Sequence, residues 1–312
     1  MRPAALHSWI SGELGGAAPD AVVSLAAELA KRGGSATAAV LYYGSALRAE
    51  SLDGVLDFYV LLDNAGAWPG SFLAHVANRV LPPNVGYVEV ARPGQPLRAK
   101  FAVLSTQQFR RRLRRQSLDT TIWARFCQPA LCVWARSPAD REMMVELVSG
   151  AVTTAACWAA ELGPATATAE DFWRALFART YSAELRVEKA GRPQDIVAKY
   201  PQRYAALLPL ALGAAHLPVH TDAAGALQPA LDQSQRDSAA RGWAWRRRLG
   251  RPLNVLRLLK AAFTFEGAMD YVVWKIERHR GVRIEVSAWQ RRFPLLAAPG
   301  LYLQLRRRGI LR

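Results

Sequence analysis

Four short apolar runs within the first 104 residues constrain this chain most: Ala36 to Tyr43, Val55 to Leu62, Val85 to Val90 and Leu97 to Leu104. Each suits extended backbone. Turn signals punctuate them, Gly44-Ser45 after the first and Arg92-Pro93-Gly94-Gln95-Pro96 before the last, so each reads as a strand. Two helices are expected among them. Asp20 caps one that runs to Arg32 and stops at Gly33-Gly34, and the other lies around Pro69 to Val80. From Thr106 the pattern turns helical, over 107–115, 139–160, 169–180 and 198–212, with Thr168 and Asp171 as a helix entry. The stretch 221–241 is poor in large apolar residues and reads as a linker or a polar helix. The expected organisation is α+β: a strand-bearing domain over 1–106, a mainly helical domain over 107–220, and a linker with a basic segment over 221–312.

Hydrophobic residues make up 51% and charged residues 21%, enough apolar material for a packed core, which excludes wholesale disorder. The three cysteines, Cys127, Cys132 and Cys157, are too few for a disulfide framework. They lie in no His/Cys cluster of zinc spacing, so reduced, buried thiols are expected. The longest apolar run, Ala205 to Ala215, has eleven residues, against roughly 20 for a spanning helix. No crossing of a membrane is expected. The start has neither a secretory apolar core nor an Arg-rich amphipathic leader.

Residues 241–312 hold 17 Lys/Arg against four acids, which is +13 of the net charge of +16. A block of this kind attracts polyanions. Trp243, Trp245, Trp274 and Trp289 lie among its arginines, with Phe293, Leu296, Leu301 and Leu303 beyond. Trp and Leu interleaved with Arg suit an anionic membrane surface. An ordinary core face with a solvated basic rim is second, and nucleic acid, by stacking on the aromatics, is third and not the expected partner.

The chemistry-bearing constellation is Tyr42-Tyr43-Gly44-Ser45-Ala46-Leu47-Arg48 followed by Leu56-Asp57-Phe58-Tyr59. A strand ends in Gly-Ser, a loop follows, and a carboxylate stands early in the next strand. This order suits nucleotidyl transfer. Gly44 lets backbone approach a triphosphate, Ser45 and nearby N–H groups cradle phosphate oxygens, and Asp57 holds Mg²⁺, which prefers few carboxylates plus substrate phosphates. A second acid would ordinarily stand two residues on, where this chain has Tyr59. Asp53, Asp63 and Glu89 are the candidate replacements, and Glu89 is favoured because its strand is expected beside that of Asp57.

The segment Tyr43-Gly44-Ser45-Ala46, Leu56-Asp57-Phe58, Asp63 and Ala67-Trp68 resembles the mitochondrial-type phosphatidate cytidylyltransferases, the peripheral CDP-diacylglycerol synthases of the translocator assembly and maintenance family. Lys100-Phe101-Ala102-Val103-Leu104-Ser105-Thr106, Ile122 to Pro129 and Tyr181-Ser182-Ala183-Glu184-Leu185-Arg186 are similar to further family elements, in the same order. The resemblance spans about residues 40 to 205 and fades over the last hundred. It implies a nucleotidyltransferase-like mixed sheet, a winged-helix-like helical domain and a basic, membrane-contacting C-terminal segment. It implies the reaction of CTP with phosphatidic acid to give CDP-diacylglycerol and pyrophosphate, with Mg²⁺. Asp57, Ser45 and Lys100 would be catalytic. Tyr43, Gly44, Arg125, Tyr181 and Arg186 would bind substrate, with Lys189 and Lys199 near pyrophosphate. A bacterial cytoplasmic relative, peripheral on the inner face of the cell membrane, is the form expected. A nucleotidyltransferase acting on RNA or protein, and a degenerate, non-catalytic adaptor, stand as alternatives.

Overall fold

In the computed structural model, which describes residues 2–49, 52, 54–92, 96–183 and 192–307, the four apolar runs form four strands of one mixed sheet. Helices α1 (Arg2–Leu14) and α2 (Asp20–Gly33) precede β1 (Thr37–Tyr43). The short α3 (Ser45–Ala49) leads to β2 (Val55–Leu62), and α4 (Phe72–Val80) leads to β3 (Asn84–Val90) and β4 (Leu97–Ser105). Next come α5 (Thr106–Leu113), α6 (Thr121–Phe126) and a fifth strand, β5 (Ala130–Ala135). The helices α7 (Pro138–Leu162), α8 (Ala169–Ala183), α9 (Arg192–Lys199) and α10 (Pro201–Ala214) follow. A small hairpin, β6 (Val219–Thr221) and β7 (Leu227–Pro229), precedes α11 (Gln233–Thr264), α12 (Ala268–Arg280), α13 (Ala288–Arg292) and α14 (Pro294–Arg307).

The chain is thus α+β. The sheet order is β3-β4-β2-β1-β5, with β2 and β4 parallel and the other pairs antiparallel. Several local expectations change. Pro19, not Asp20, holds the N-cap position of α2, so Asp20 serves as a carboxylate in the first turn. The stretch 221–241 completes a hairpin and opens a long helix, whose start Asp232 caps together with Gln235. β5, from the stretch expected to be helical, pairs with β1 and closes one sheet edge.

Strand alternation sends side chains to two separate cores. Val40, Tyr42, Phe58, Val60 and Phe101 face α2, while Leu41, Tyr59, Leu61, Ala102 and Leu104 face α1, α5, α6 and α7. α7 is long and apolar enough to cross a membrane, yet its most apolar window is 67% buried, with α1, α6, α8, α10 and α11 around it. Arg203 of α10, itself buried, donates to Glu13 of α1 (2.9 Å) and to the Cys127 carbonyl (2.9 Å). That contact fixes the end of α6.

The basic segment is only partly a surface. Trp243 is buried against Trp123 and Trp158, so it is a core residue and not one of the membrane-facing aromatics expected. Buried Arg246 donates to the Ser117 carbonyl (3.0 Å) and stacks on Trp158. Further on, Asp119, 4% exposed, accepts from Arg112 of α5 (2.8 Å), from the Thr121 amide that begins α6 (3.0 Å) and from Arg257 of α11 (3.0 Å). Burial pushes its pKa up, but bonds to Arg257 and the charges of Arg257 and Arg112 prevail and hold it well below the usual carboxylate range.

Removing that carboxylate would leave two guanidinium groups uncompensated, so Asp119→Asn is expected to lose about 3 kcal/mol of stability. Because the folded pKa lies below the ordinary carboxylate value, the contribution is full above that ordinary value and fades as acid approaches the folded one. Urea titrations of wild type and variant should therefore differ at neutral pH and converge in strong acid.

Candidate active-site cleft

The site starts from a backbone requirement. β1 ends at Tyr43, whose register partner is Asp57 of β2, and Gly44 turns the chain at φ +99°. A Cβ on Gly44 would stand 2.7 Å from Asp57 Oδ2. Glycine is needed here twice, for the left-handed backbone and for room beside the carboxylate.

Register then lines up the sheet row. Asp57 is opposite Lys100 of β4, which is opposite Tyr87 of β3, and cross-strand partners share a face. Asp57 and Lys100 therefore share the face that Tyr59 and Ala102 present to the helices. Above this row lies a cleft of about 690 Å³. Tyr43, Gly44, Ser45, Asp57 and Lys100 line its floor, and Arg125 and Gln128 one wall. Tyr181 enters from α8, and Asn254, Arg257 and Lys260 of α11 with Tyr271 and Lys275 of α12 form the roof.

The electrostatics favour an anion. Asp57 is the sole carboxylate among the described lining residues, against Lys100, Arg125, Arg257, Lys260 and Lys275. Burial pulls the Lys100 pKa below its ordinary value; Asp57 opposes the shift, and Arg125 and Lys275 add to it. The Lys100 ammonium stands 5.8 Å from the Tyr271 ring centroid. Burial raises the Tyr271 phenol, and the charge of Asp57 raises it further.

Two roof cations have structural duties. Arg257 is held by Asp119, and Lys260 donates to the Leu81 carbonyl (2.7 Å), the Pro83 carbonyl and Asn84 Oδ1 (3.0 Å). The α11–α12 junction is pinned to the free edge of β3: the Tyr87 amide donates to the Glu266 carbonyl (2.8 Å), and Glu266 pairs with Arg32.

Of the expected site residues, Tyr43, Gly44, Ser45, Asp57, Lys100, Arg125 and Tyr181 meet in this one cleft. Arg186 and Lys189 lie outside the described residues, as does Asp53. Lys199 closes α9, with its ammonium 5.9 Å from the Tyr200 ring centroid. Glu89 shares the face of Asp57 but stands two strands away and one step along, roughly 12 Å by strand geometry. It accepts from Tyr87 (3.2 Å) and Arg98 (3.3 Å) and does not line the cleft. The structure therefore corrects the pairing of Glu89 with Asp57 as metal ligands. Asp63 is likewise engaged elsewhere, with Arg136.

Tyr59, at the position of the missing acid, is fully buried among Tyr43, Phe109 and Phe126, and its hydroxyl accepts from Arg125 (3.0 Å). It positions an arginine instead of holding a metal. Among the described residues no cluster of three His, Cys, Asp or Glu side chains is present. Of the described lining residues, Asp57 alone carries a carboxylate that could ligate a magnesium ion, whose other ligands would be phosphate oxygens and water.

Gln128 lies in the family-like segment Ile122 to Pro129, whereas Asn254, Tyr271 and Lys275 enter the lining with no signal in their local sequence. These three come from the basic segment, whose surplus charge pointed outward to a surface. Neither models of known protein families nor the curated proteins contain a match to this chain.

Gly44→Ala should cost about 1–3 kcal/mol through its positive φ and should displace the Asp57 carboxylate. Ser45→Ala should stay within about 0.5 kcal/mol. Thermal unfolding of the two variants against wild type checks both.

Proposed function

We propose that this chain is a phosphatidate cytidylyltransferase, joining CTP and phosphatidic acid to give CDP-diacylglycerol and pyrophosphate at an anionic membrane surface. The observation that carries the reading is the convergence of a Gly-Ser turn, one strand carboxylate and several cations in a single cleft. The family resemblance points to Gly44, Ser45, Asp57, Lys100 and Arg125 among them. In this reading the sheet is nucleotidyltransferase-like, and the helices over 107–220 correspond to the winged-helix-like domain. The protein works from the cytoplasm, on the inner face of the cell membrane.

A phosphate-monoester oxygen of phosphatidic acid attacks the α-phosphorus of CTP. The bond from that phosphorus to the β-bridging oxygen breaks, and pyrophosphate leaves with the electron pair. The nucleophile is already an anion, so the step needs no base. What the protein must supply is alignment and positive charge. Gly44 gives the triphosphate close access to backbone, and Ser45 offers a hydroxyl at the head of α3. Lys100 is a compact charge at the floor. Arg125, steadied by Tyr59, presents a fork suited to phosphate, and Lys275 covers the opposite side. Magnesium, held by Asp57, would offset the developing charge on the phosphates.

One feature favours a second reading, a catalytically degenerate adaptor: Tyr59 stands where a second acid would be, and Glu89 does not replace it. A nucleotidyltransferase acting on RNA or protein would use the same floor, so acceptor choice separates it from the lipid enzyme.

The test is turnover of CTP on phosphatidic acid vesicles with Mg²⁺, following liponucleotide and pyrophosphate together. Asp57→Asn is expected to abolish both products. Equal behaviour of wild type and variant would select the adaptor, and lipid-independent transfer onto RNA or protein would select the other acceptor class. Lys100→Met should lower kcat/KM by about 10²-fold. Because the Lys100 pKa is lowered, its charge is lost at a lower pH than that of an ordinary lysine. Turnover of wild type should therefore fall on the alkaline side, and the variant should lack that limb.

A further inference from the structure

Beyond the buried Trp243, helix α11 turns large apolar side chains outward and polar ones inward. At 100° per residue, Trp245, Leu249, Leu256, Leu259 and Phe263 fall within about 40° of one line along the helix, over roughly 27 Å. These five side chains are 38–70% exposed. The side turned toward the protein carries Arg246, Asn254, Arg257 and Lys260, bonded to carbonyls and Asp119 or lining the cleft. A surface helix of an ordinary globular protein has the reverse arrangement.

The neighbouring helix repeats the pattern. α4 lies against α11, and Lys260 ties the two at the Leu81 carbonyl. Phe72, Leu73, Val76 and Val80 share one face of α4, with Phe72 83% and Val80 77% exposed. Adjoining helices that both turn large apolar side chains to solvent form a patch of the kind that marks an interaction surface.

The charge around the patch chooses the occupant. No acid stands between Asp237 and Glu266, and Arg241 and Arg248, both exposed, lie within about 60° of the apolar line on α11. Arg79 is exposed on α4. A second copy would bring the same positive charge against itself. An anionic bilayer meets both requirements, because arginines reach headgroup phosphates while Trp, Phe and Leu enter the acyl boundary.

We propose that the outer faces of α4 and α11 together form the surface that docks on an anionic bilayer. The strand-bearing part of the chain thereby shares in membrane contact expected of the C-terminal segment alone. This deepens the reading above in one respect, the lipid surface, and does not depend on the cytidylyl chemistry. Since the inner face of α11 roofs the cleft, the docked protein holds the cleft directly behind the helix that touches lipid.

The experiment is sedimentation of the full chain with phosphatidylcholine vesicles, with and without phosphatidic acid, in the absence of CTP and Mg²⁺. Two variants are used, Phe72→Ser with Val80→Ser, and Leu259→Ser with Phe263→Ser; none of the four residues lines the cleft. Each pair is expected to weaken binding to phosphatidic acid vesicles by about tenfold or more, with circular dichroism and monomeric state unchanged. Turnover of a short-chain, water-soluble phosphatidic acid by each pair should match wild type.

Unchanged vesicle binding by either pair would overturn the proposal. So would a wild-type dimer that the substitutions split, because a second copy would then be the occupant. Loss of vesicle binding in a protein with no turnover on any phosphatidic acid would support the docking surface while refuting the cytidylyltransferase.

Discussion

The buried carboxylate of Asp119 holds this structure in its working shape. It binds an arginine of α5, the first amide of α6 and an arginine of α11. Through α6 it fixes the helix that carries Arg125, and through Arg257 it fixes the roof of the cleft. A charge taken so far out of water persists only when its partners are complete. The three contacts are therefore a condition on one another: α11 cannot lift away without leaving Asp119 short of a partner.

The cleft floor shows a different economy. A strand carboxylate beside a turning glycine places one negative charge at the edge of a positive basin. Tyr59 occupies the position two residues on and uses its hydroxyl to hold Arg125. A phenol at this position leaves the positive charge of the cleft intact, where a second carboxylate would offset part of it. A polyphosphate entering such a basin brings most of a magnesium's ligands with it.

Much of the fold was legible because the four apolar runs alternate between two buried faces and end at turn residues. β2 spans the residues expected. β5 was not legible, since Ala130-Leu131-Cys132-Val133-Trp134-Ala135 is short and carries no clear period of two against its flanking helices. Its place is set by pairing with β1, a long-range contact that local pattern does not encode. Likewise, Gly44, Ser45 and Asp57 were legible because turn chemistry fixes them locally. The supposed partnership of Glu89 failed for a reason of register. It shares the sheet face, but Arg98 and Tyr87 claim it two strands from Asp57. Tyr271 and Lys275 reach the cleft only because the α11–α12 junction pairs with the β3 edge, which no local signal announces.

The basic segment is where reading by composition was least complete. Counting arginines and tryptophans treats them as one outward surface, whereas the helix sorts them by angle. Trp243, Arg246, Arg257 and Lys260 go inward, and Trp245, Leu249, Leu256 and Leu259 go outward. The sorting follows from what each side meets. Inward lie the end of α4, the carbonyls of Arg115 and Ser117, and Asp119, all of which need donors. With those donors committed inward, the remaining apolar side chains have nowhere in the protein to go. One helix thus becomes both the roof of a polyanion cleft and an uncovered apolar stripe. A chain that placed its leucines inward here would strand the acceptors at Asp119 and at the end of α4, and would open the cleft.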